Sequence, residues 1–381
     1  MSAPPATHPA ASRPTPRWRY VLLAAAGAAL LAGLTGALLL LGVAMPPLAA
    51  RFAIEHGELM TLGFLGTVVA LERAVALDEP WGYLSPGLAA VGAVGLLAGQ
   101  LALGTAGLCG GAVMLLAVYA AFARHERSLQ LGVQAAGAGA WLGASLLLVA
   151  GIPIAGAYPW LAAFLVMTVV GERLDLARLG GLANRVRRQL IVALWLFVIG
   201  VTAAIALPDA GTRVAGVAML GMAAWLARHD LARRTVRLTG VTRYIAVCLL
   251  AGYAWLAVAG AAWVLTGTAP FPAYDIRLHA LFLGFVISMV FGHAPVIVPA
   301  VLRVPLPYRW WNYIPLALLH AGLVVRLAGG DLLGMPDGLL AGGVANVLAI
   351  LAFLGVSAMS AAIELRRRHA LEARRVAASP A

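Results

Sequence analysis

The chain is dominated by apolar runs long enough to cross a lipid bilayer as helices. Such a helix needs roughly 20 apolar residues, at about 1.5 Å of rise per residue, and runs of this length follow one another along most of the 381 residues. Only 11% of the residues are charged, against roughly 25% in soluble domains. The chain has no room for a sizeable soluble domain, and we predict an integral membrane protein.

Arg, Pro, Asp and Gly residues divide the apolar runs into twelve predicted helices. They cover residues 18–43, 56–77, 84–103, 105–123, 129–150, 153–175, 189–207, 211–228, 242–266, 276–302, 309–328 and 338–364. This pattern predicts an all-α fold, a polytopic membrane bundle of about 12 transmembrane helices. Residues 18–364 form the single transmembrane domain, residues 1–17 a disordered cytoplasmic tail and residues 365–381 a basic cytoplasmic tail.

All 27 basic residues are arginine, and their distribution predicts the topology. The tails and the even-numbered connections hold 23 of them; the odd-numbered connections hold only Arg51, Arg213, Arg277 and Arg326. We call the side of the bundle that carries the tails and the even-numbered connections the arginine-rich end. Cytoplasmic segments carry the excess of basic residues, so we expect both termini in the cytoplasm and the bundle in a bacterial inner membrane. The net charge of +12 then reflects topology. No basic patch interleaved with aromatic residues points to nucleic acid, so the expected surroundings are lipid.

Helices 2, 6 and 10 share a residue pattern. An aromatic, a valine and an ionisable residue recur at the same spacing: Phe64, Val69 and Glu72; Phe164, Val169 and Glu172; Phe285, Val290 and His293. One such set falls in each third of the chain. The pattern indicates three four-helix repeats.

Ionisable residues inside membrane spans usually face the bundle interior and serve function. His56 and His279 fall at the outer ends of helices 2 and 10, so we expect them in one layer. Two imidazoles from different helices can hold a haem iron, and Met60, one turn after His56, is a further candidate ligand. The alternative is that each histidine only anchors a helix end at the membrane surface.

A second set of candidates falls toward the arginine-rich end: Glu72, Glu172, His293 and His320. We expect His293 and His320 at similar depth, because each lies about ten residues from the connection between their helices. Two histidines with carboxylates suit an iron, copper or zinc site, and the same groups suit a proton relay. In the competing interpretation, Glu72 with Arg73 and Glu172 with Arg173 are interfacial ion pairs.

Two segments resemble the NnrS family of bacterial membrane proteins. The run His-Gly-Glu-Leu-Met-Thr-Leu-Gly-Phe at 56–64 is similar to that family's His-Ala-His-Glu-Met-x-x-Gly-Phe signature, and His-Ala-Leu-Phe-Leu-Gly at 279–284 is similar to its His-Ala-Leu-x-x-Gly stretch. The resemblance implies a twelve-span protein that contains haem and copper and is associated with nitric oxide metabolism. It makes His56 and His279 the matching candidate haem ligands.

The sequence departs from that signature at Glu58, which stands where the family has a second histidine. A copper site or a second haem that uses the signature's second histidine would lack that ligand in this chain. The repeat pattern aligns Glu58 with His279, whereas the signature favours His56. We take His56 as the ligand, since imidazole binds haem iron better than carboxylate does. A more distant resemblance, to haem–copper oxidase subunit I, does not extend to the oxidase ligands, because helices 6 and 7 contain no histidine.

Taken together, these features predict a haem-binding protein in electron transfer or nitric-oxide-related redox metabolism. The haem would be b-type, since the chain has no C-x-x-C-H attachment motif, and its electron donor would be periplasmic or a quinone. The alternative is a proton- or ion-coupled secondary transporter that uses intramembrane Glu and His, with Pro295 and Pro299 kinking helix 10. A membrane scaffold without chemistry is the third interpretation.

Overall fold

The computed structural model describes residues 17–178 and 183–377, which are almost entirely helical and contain no strand. The all-helical architecture predicted from the sequence is confirmed. Of the predicted N-terminal tail, only Arg17 lies within the described residues, where it begins the first helix. Residues 378–381 of the predicted C-terminal tail also lie outside them.

Twelve long helices make up the described part of the chain. In order they are α1 (Arg17–Leu40), α2 (His56–Leu77), α3 (Leu84–Leu97), α4 (Leu101–His125), α5 (Leu129–Val149), α6 (Ile154–Arg178), α7 (Asn184–Ala203), α8 (Pro208–His229), α9 (Gly240–Thr266), α10 (Ala273–Leu302), α11 (Trp310–Leu332) and α12 (Pro336–Ala377). Eleven of them are long and apolar enough to cross a membrane. The exception is α3, with 14 residues.

The third helix ends earlier than the hydropathy pattern predicts. The predicted range was 84–103, but α3 ends at Leu97 and Gly99 adopts a φ of +73°. The amide of Gln100 donates to the Gly95 carbonyl at 2.8 Å and that of Gly99 to the Leu96 carbonyl at 2.9 Å. These two bonds form a Schellman motif, which satisfies the last carbonyls of a helix. A single glycine hardly changes the hydropathy of an apolar run, so hydropathy alone did not predict this turn.

Small residues bring the backbones of α3 and α4 into contact. Gly92 and Gly95 on α3 face Gly104 and Gly107 on α4 closely enough that an added Cβ at any of them would meet the opposite helix. Lipid tails are as apolar as leucine, so helices in a bilayer associate through close van der Waals packing of this kind. The short α3 is thereby fixed against a full-length neighbour.

The most enclosed span is α6, which lies beside α10. Its Phe164 packs on Trp141 of α5 with ring centroids 5.1 Å apart, and both side chains are fully buried. Helices α2 and α10 also contact each other. Of the three helices that share the Phe, Val and ionisable pattern, α10 therefore contacts both α2 and α6.

Helices α2 and α10 both change from α to π winding one turn or less after their histidines. The π segments are Leu59–Gly66 in α2 and Ala280–Ile287 in α10, and a third, Val325–Leu332, ends α11. The first two start and end at positions that the Phe64 to Phe285 alignment makes equivalent. The corresponding part of α6 is regular α-helix. Internal π segments are rare and occur mostly at functional sites.

The last helix runs past the range that the sequence predicts for it. The sequence predicts a boundary at residue 364, whereas α12 continues to Ala377 over 42 residues. Glu364 lies 3.8 Å from Arg367 and 3.3 Å from Arg368. Pairs at these spacings support a helix on its exposed face, so the basic segment extends the last span as helix.

The four arginines at the opposite end from the arginine-rich end all bind carbonyl, hydroxyl or carboxylate groups. The pairs are Arg51 with the Leu97 carbonyl, Arg213 with the Val264 carbonyl and Asp209, Arg277 with the Ala269 carbonyl and the Thr266 hydroxyl, and Arg326 with Asp275. Arg51 and Arg213 thus hold carbonyls that α3 and α9 leave free at their C-terminal ends. These arginines stabilise connections, and Arg326 also contributes to the cavity described next.

Candidate functional site

A cavity of about 370 Å³ lies between α1, α2, α6, α10, α11 and α12. Its wall contains both histidines that the sequence assigns to the outer layer, His56 and His279, together with Met60. Leu40, Ile54 and Phe271 also line it and are exposed, so the cavity reaches the molecular surface. His56 and His279 are 223 positions apart in the chain, and both line this one cavity.

The ring of His56 is oriented by the backbone of α1. Its Nδ1 lies 2.8 Å from the Gly33 carbonyl oxygen. Because a carbonyl only accepts, this nitrogen carries the proton and Nε2 keeps a lone pair. The backbone turns at Glu55, just before α2. His56 lies in the cavity wall and Glu58 does not line it, although the repeat pattern aligns Glu58 with His279.

The ring of His279 is oriented by Asp275, one turn earlier on α10. Its Nδ1 lies 3.0 Å from the Asp275 Oδ1 and 3.1 Å from the Asp275 carbonyl oxygen. Here too the acceptors fix the proton on Nδ1. In the described residues, Nε2 of neither His56 nor His279 takes part in a hydrogen bond. Each imidazole is therefore held from behind, with its second nitrogen free to accept.

The Asp275 carboxylate is fixed in turn by Arg326 of α11. The guanidinium donates from Nε to Oδ2 at 2.9 Å and from Nη2 to Oδ1 at 2.7 Å. Arg326 and Asp275 both line the cavity, and the Arg326 side chain is only 10% exposed. Planar two-bond pairing of this kind is the strong form of an arginine–carboxylate interaction. It links the α11 π segment to the His279 ring.

Asp331 adds a second carboxylate beside this pair. It is buried and lies within electrostatic range of Asp275 and Arg326. One arginine thus serves two acidic side chains at this end of the bundle. Sequence reasoning missed Asp275, Arg326 and Asp331, because it counted them as connection residues. The signal that was available is the spacing of four between Asp275 and His279, which places both on one helix face.

The remainder of the cavity wall is largely apolar. Tyr158, Leu161, Phe282 and Leu283 contribute apolar surface, and Asn346 of α12 adds a buried amide. The Asn346 Nδ2 donates to the Leu319 carbonyl at 2.8 Å, while its Oδ1 has no partner in the described part of the chain. A mostly apolar cavity with a few convergent polar groups is the usual form of a cofactor or small-molecule site.

The second set of sequence candidates is only partly brought together. Glu72 contacts Arg73. Glu172 Oε1 lies 3.6 Å from both the Arg173 Nη2 and the His293 Nε2. Both carboxylates therefore pair with the arginine that follows them, and Glu172 also faces His293.

His320 lies apart from this set. Its Nδ1 accepts a hydrogen bond from the Trp255 indole at 2.9 Å, with the two rings stacked, and Trp255 packs against Gly284. Gly284 is nine residues before His293, or about 13 Å along a helix. The expectation that His293 and His320 share a level is therefore wrong, since counting from the connection ignored its extended backbone and the short 3₁₀ turn at the start of α11. Within residues 17–178 and 183–377 no three His, Cys, Asp or Glu side chains are grouped to hold a metal ion.

Comparison with known proteins gives one family. No curated protein and no solved structure matches the chain. The sequence model of one protein family, described as a domain of unknown function (DUF8744), matches residues 19–362. This match runs from α1 into α12 and covers the whole cavity, so the chain belongs to the DUF8744 family.

Proposed function

We propose that the cavity binds a b-type haem, whose iron His56 and His279 would hold, and that the protein serves electron transfer or nitric-oxide-related redox metabolism. The observation that carries this proposal is the pair of imidazoles on one cavity, each with Nδ1 bound to an acceptor and Nε2 free. Histidines that ligate a metal almost always donate their other ring nitrogen to a carbonyl or carboxylate. The resemblance to the NnrS family points to the same two residues.

The donor set fits this group. A haem held by two imidazoles supplies reversible one-electron transfer. Asp275 and the Gly33 carbonyl would hold the two rings in orientation, and the apolar wall would exclude water from the site. Met60 is the alternative ligand on α2, and its sulfur lies next to Gly33 on the cavity wall.

Arg326 supports the site electrostatically. Its charge would stand near an anionic group of the ligand while remaining paired with Asp275. The proposal leaves the electron donor as a periplasmic protein or a quinone. Copper is the second metal that the NnrS resemblance implies; Glu58, in place of the signature's second histidine, is half-buried and has one oxygen without a partner among the described residues.

The topology and the repeats belong to the same proposal. We place the arginine-rich end in the cytoplasm of a bacterial inner membrane, with α3 as the twelfth span. With the 3₁₀ turn at Pro80–Tyr83, the α3 segment reaches 18 residues from 80 to 97, close to the roughly 20 that a bilayer requires. The equivalent π segments of α2 and α10 support an internal repeat.

An absorption spectrum of the purified protein tests the haem assignment. We expect a Soret band that sharpens on reduction, and loss or displacement of that band in His56→Ala and in His279→Ala. The control is His125→Ala, because His125 also bonds its Nδ1 to the carbonyl four residues earlier but lies exposed at the end of α4. Addition of imidazole should restore the band in the His56 and His279 variants if only the ligand is missing. An unchanged spectrum in both would reject the assignment.

A second candidate function is proton- or ion-coupled transport. The contact between Glu172 and His293 favours it, since a carboxylate and an imidazole on two spans can exchange a proton. The spectrum separates the two functions: a purified protein without haem, reconstituted in vesicles and showing pH-driven solute uptake that Glu172→Gln abolishes, would support transport instead.

A further inference from the structure

Glu172 of α6 and His293 of α10 face each other in the half of the bundle toward the arginine-rich end. The His293 Nδ1 lies 2.6 Å from the Met289 carbonyl oxygen and so carries a proton. The His293 Nε2 therefore points a lone pair toward Glu172 Oε1 at 3.6 Å. This nitrogen is buried and has no hydrogen-bond partner in the described residues.

An imidazole lone pair and a carboxylate oxygen that face each other repel unless a proton lies between them. A charge-assisted N–H···O bond is about 2.8 Å long, so the observed separation exceeds a bonded one by less than about 1 Å. Rotation of the Glu172 side chain, which is 33% exposed, is enough to close this gap. The geometry thus suits one shared proton, which either atom can hold.

Arginines and a second carboxylate lie near the pair. Arg173 Nη2 is 3.6 Å from Glu172 Oε1, and Arg73 lies within electrostatic range of Glu72 and Glu172. A proton on His293 Nε2 would give this buried nitrogen the hydrogen-bond partner that it lacks among the described residues, Glu172 Oε1.

A groove lies beside this cluster, toward the arginine-rich end. It lies between α4 and α5, is lined by Leu116, Tyr119, Arg127 and Ser128 among others, and is open to the surface. Tyr119 forms its inner wall; this residue is buried, its hydroxyl has no hydrogen-bond partner among the described residues, and it lies within electrostatic range of Arg73, Glu72 and Glu172. A phenol that can both donate and accept stands between the groove and the carboxylates.

We propose that Glu172 and His293 form a binding site for one exchangeable proton, loaded through the Tyr119 groove from the arginine-rich end. A hydronium ion in the groove gives up one proton to Glu172 Oε1 or His293 Nε2 and leaves as water. Transfer between these two atoms then breaks the O–H bond of the acid and forms the N–H bond of the imidazolium, with no change in electron count. The proton site is independent of haem binding, since it uses none of the cavity residues.

The test measures protonation of the pair at neutral pH in purified full-length protein. Infrared spectroscopy detects a protonated carboxyl group, and NMR of ¹⁵N-labelled histidine detects an imidazolium. In the wild type we expect one of these two signals, and Glu172→Gln should remove it. In His293→Gln the proton should remain on Glu172, giving a carboxylic acid band that the Glu172→Gln, His293→Gln double variant lacks.

The matched control is Glu126→Gln, an exposed carboxyl at the end of α4 near the mouth of the groove, which should leave both signals unchanged. An ionised Glu172 beside a neutral His293 in the wild type would overturn the proton site. Tyr119→Phe tests the route: it should slow exchange of the signal in D₂O about tenfold or more without changing its amplitude. Unchanged exchange would overturn the assignment of the groove as the entrance.

Discussion

Arg326 on α11 and Asp275 on α10 form a two-bond ion pair, with donor–acceptor distances of 2.9 and 2.7 Å, directly behind the ring of His279. The orientation of the His279 ring on α10 therefore depends on Arg326, which belongs to α11. The pair also makes the outer end of α11 part of the site. The first prediction follows from this dependence.

Asp275→Asn should destabilise the protein and weaken haem binding together. Breaking a buried ion pair costs about 3 to 5 kcal/mol, and we expect a loss near the lower value because Asp331 remains beside Arg326. Thermal unfolding and haem content of the purified protein measure the two effects. Asp337→Asn is the control, since Asp337 is exposed in the first turn of α12. Equal haem content and stability in both variants would contradict the role of Asp275.

Gly33→Ala tests the contact between α1 and Met60. A Cβ at Gly33 would lie 2.7 Å from the Met60 sulfur, so Met60 must move and the packing beside His56 changes. We expect a loss of stability of about 1 kcal/mol and a smaller loss when the same change is made in a Met60→Ala background. Gly27→Ala on the same helix should be neutral, because nothing lies within 4 Å of its Cβ position. Strictly additive costs in the double variant would exclude the contact.

Gly107→Ala tests the close packing of α3 on α4. The new Cβ would meet the backbone of Gly92 and lie 2.8 Å from the Leu88 carbonyl oxygen. Backbone atoms cannot rotate away, so the helices must separate, at a cost of about 1 to 3 kcal/mol. The melting temperature should fall relative to the wild type. It should stay constant in Gly87→Ala, where the added Cβ has no neighbour within 4 Å; an equal fall in both would refute the packing.

Reporter fusions test the topology that the arginine distribution predicts. An alkaline phosphatase fused after Ala269, in the connection between α9 and α10, should be active because the arginine distribution predicts a periplasmic position for that side. A fusion at the C-terminus should be inactive, and a fluorescent protein placed there should fluoresce. The reverse pattern would invert the bundle and place the histidine cavity on the cytoplasmic side.

Hydropathy and spacing predicted the helices well, because a bilayer imposes one length and one composition on every span. The predicted ranges for α2 and α5 agree with the structure within one residue. The end of α3 was missed because it depends on the conformation of Gly99. The extent of α12 was missed because charged residues at helical spacing were assigned to a tail.

The candidate site was predicted only in part. His56 and His279 stand out because imidazoles are rare in apolar runs, and the structure places both on one cavity. Asp275, Arg326 and Asp331 escaped notice since position at a span end makes a charged residue look solvated. The depth of His320 depends on the Val-Pro-Leu-Pro connection and the start of α11, which a residue count along ideal helices does not capture.

The π segments of α2 and α10 have a consequence for how each histidine is aimed. Residues in an α-helix are rotated by about 100° from one to the next, and a π turn contains roughly one residue more than an α turn. If Leu59–Gly66 or Ala280–Ile287 rewound as α-helix with all of its residues kept, the extra residue would turn the outer helix end by about that angle and carry His56 or His279 out of the cavity wall. Deleting one residue at the same time would restore regular winding with the histidine in place. The direction in which each imidazole points from its helix axis therefore depends on the π winding of the segment that follows it.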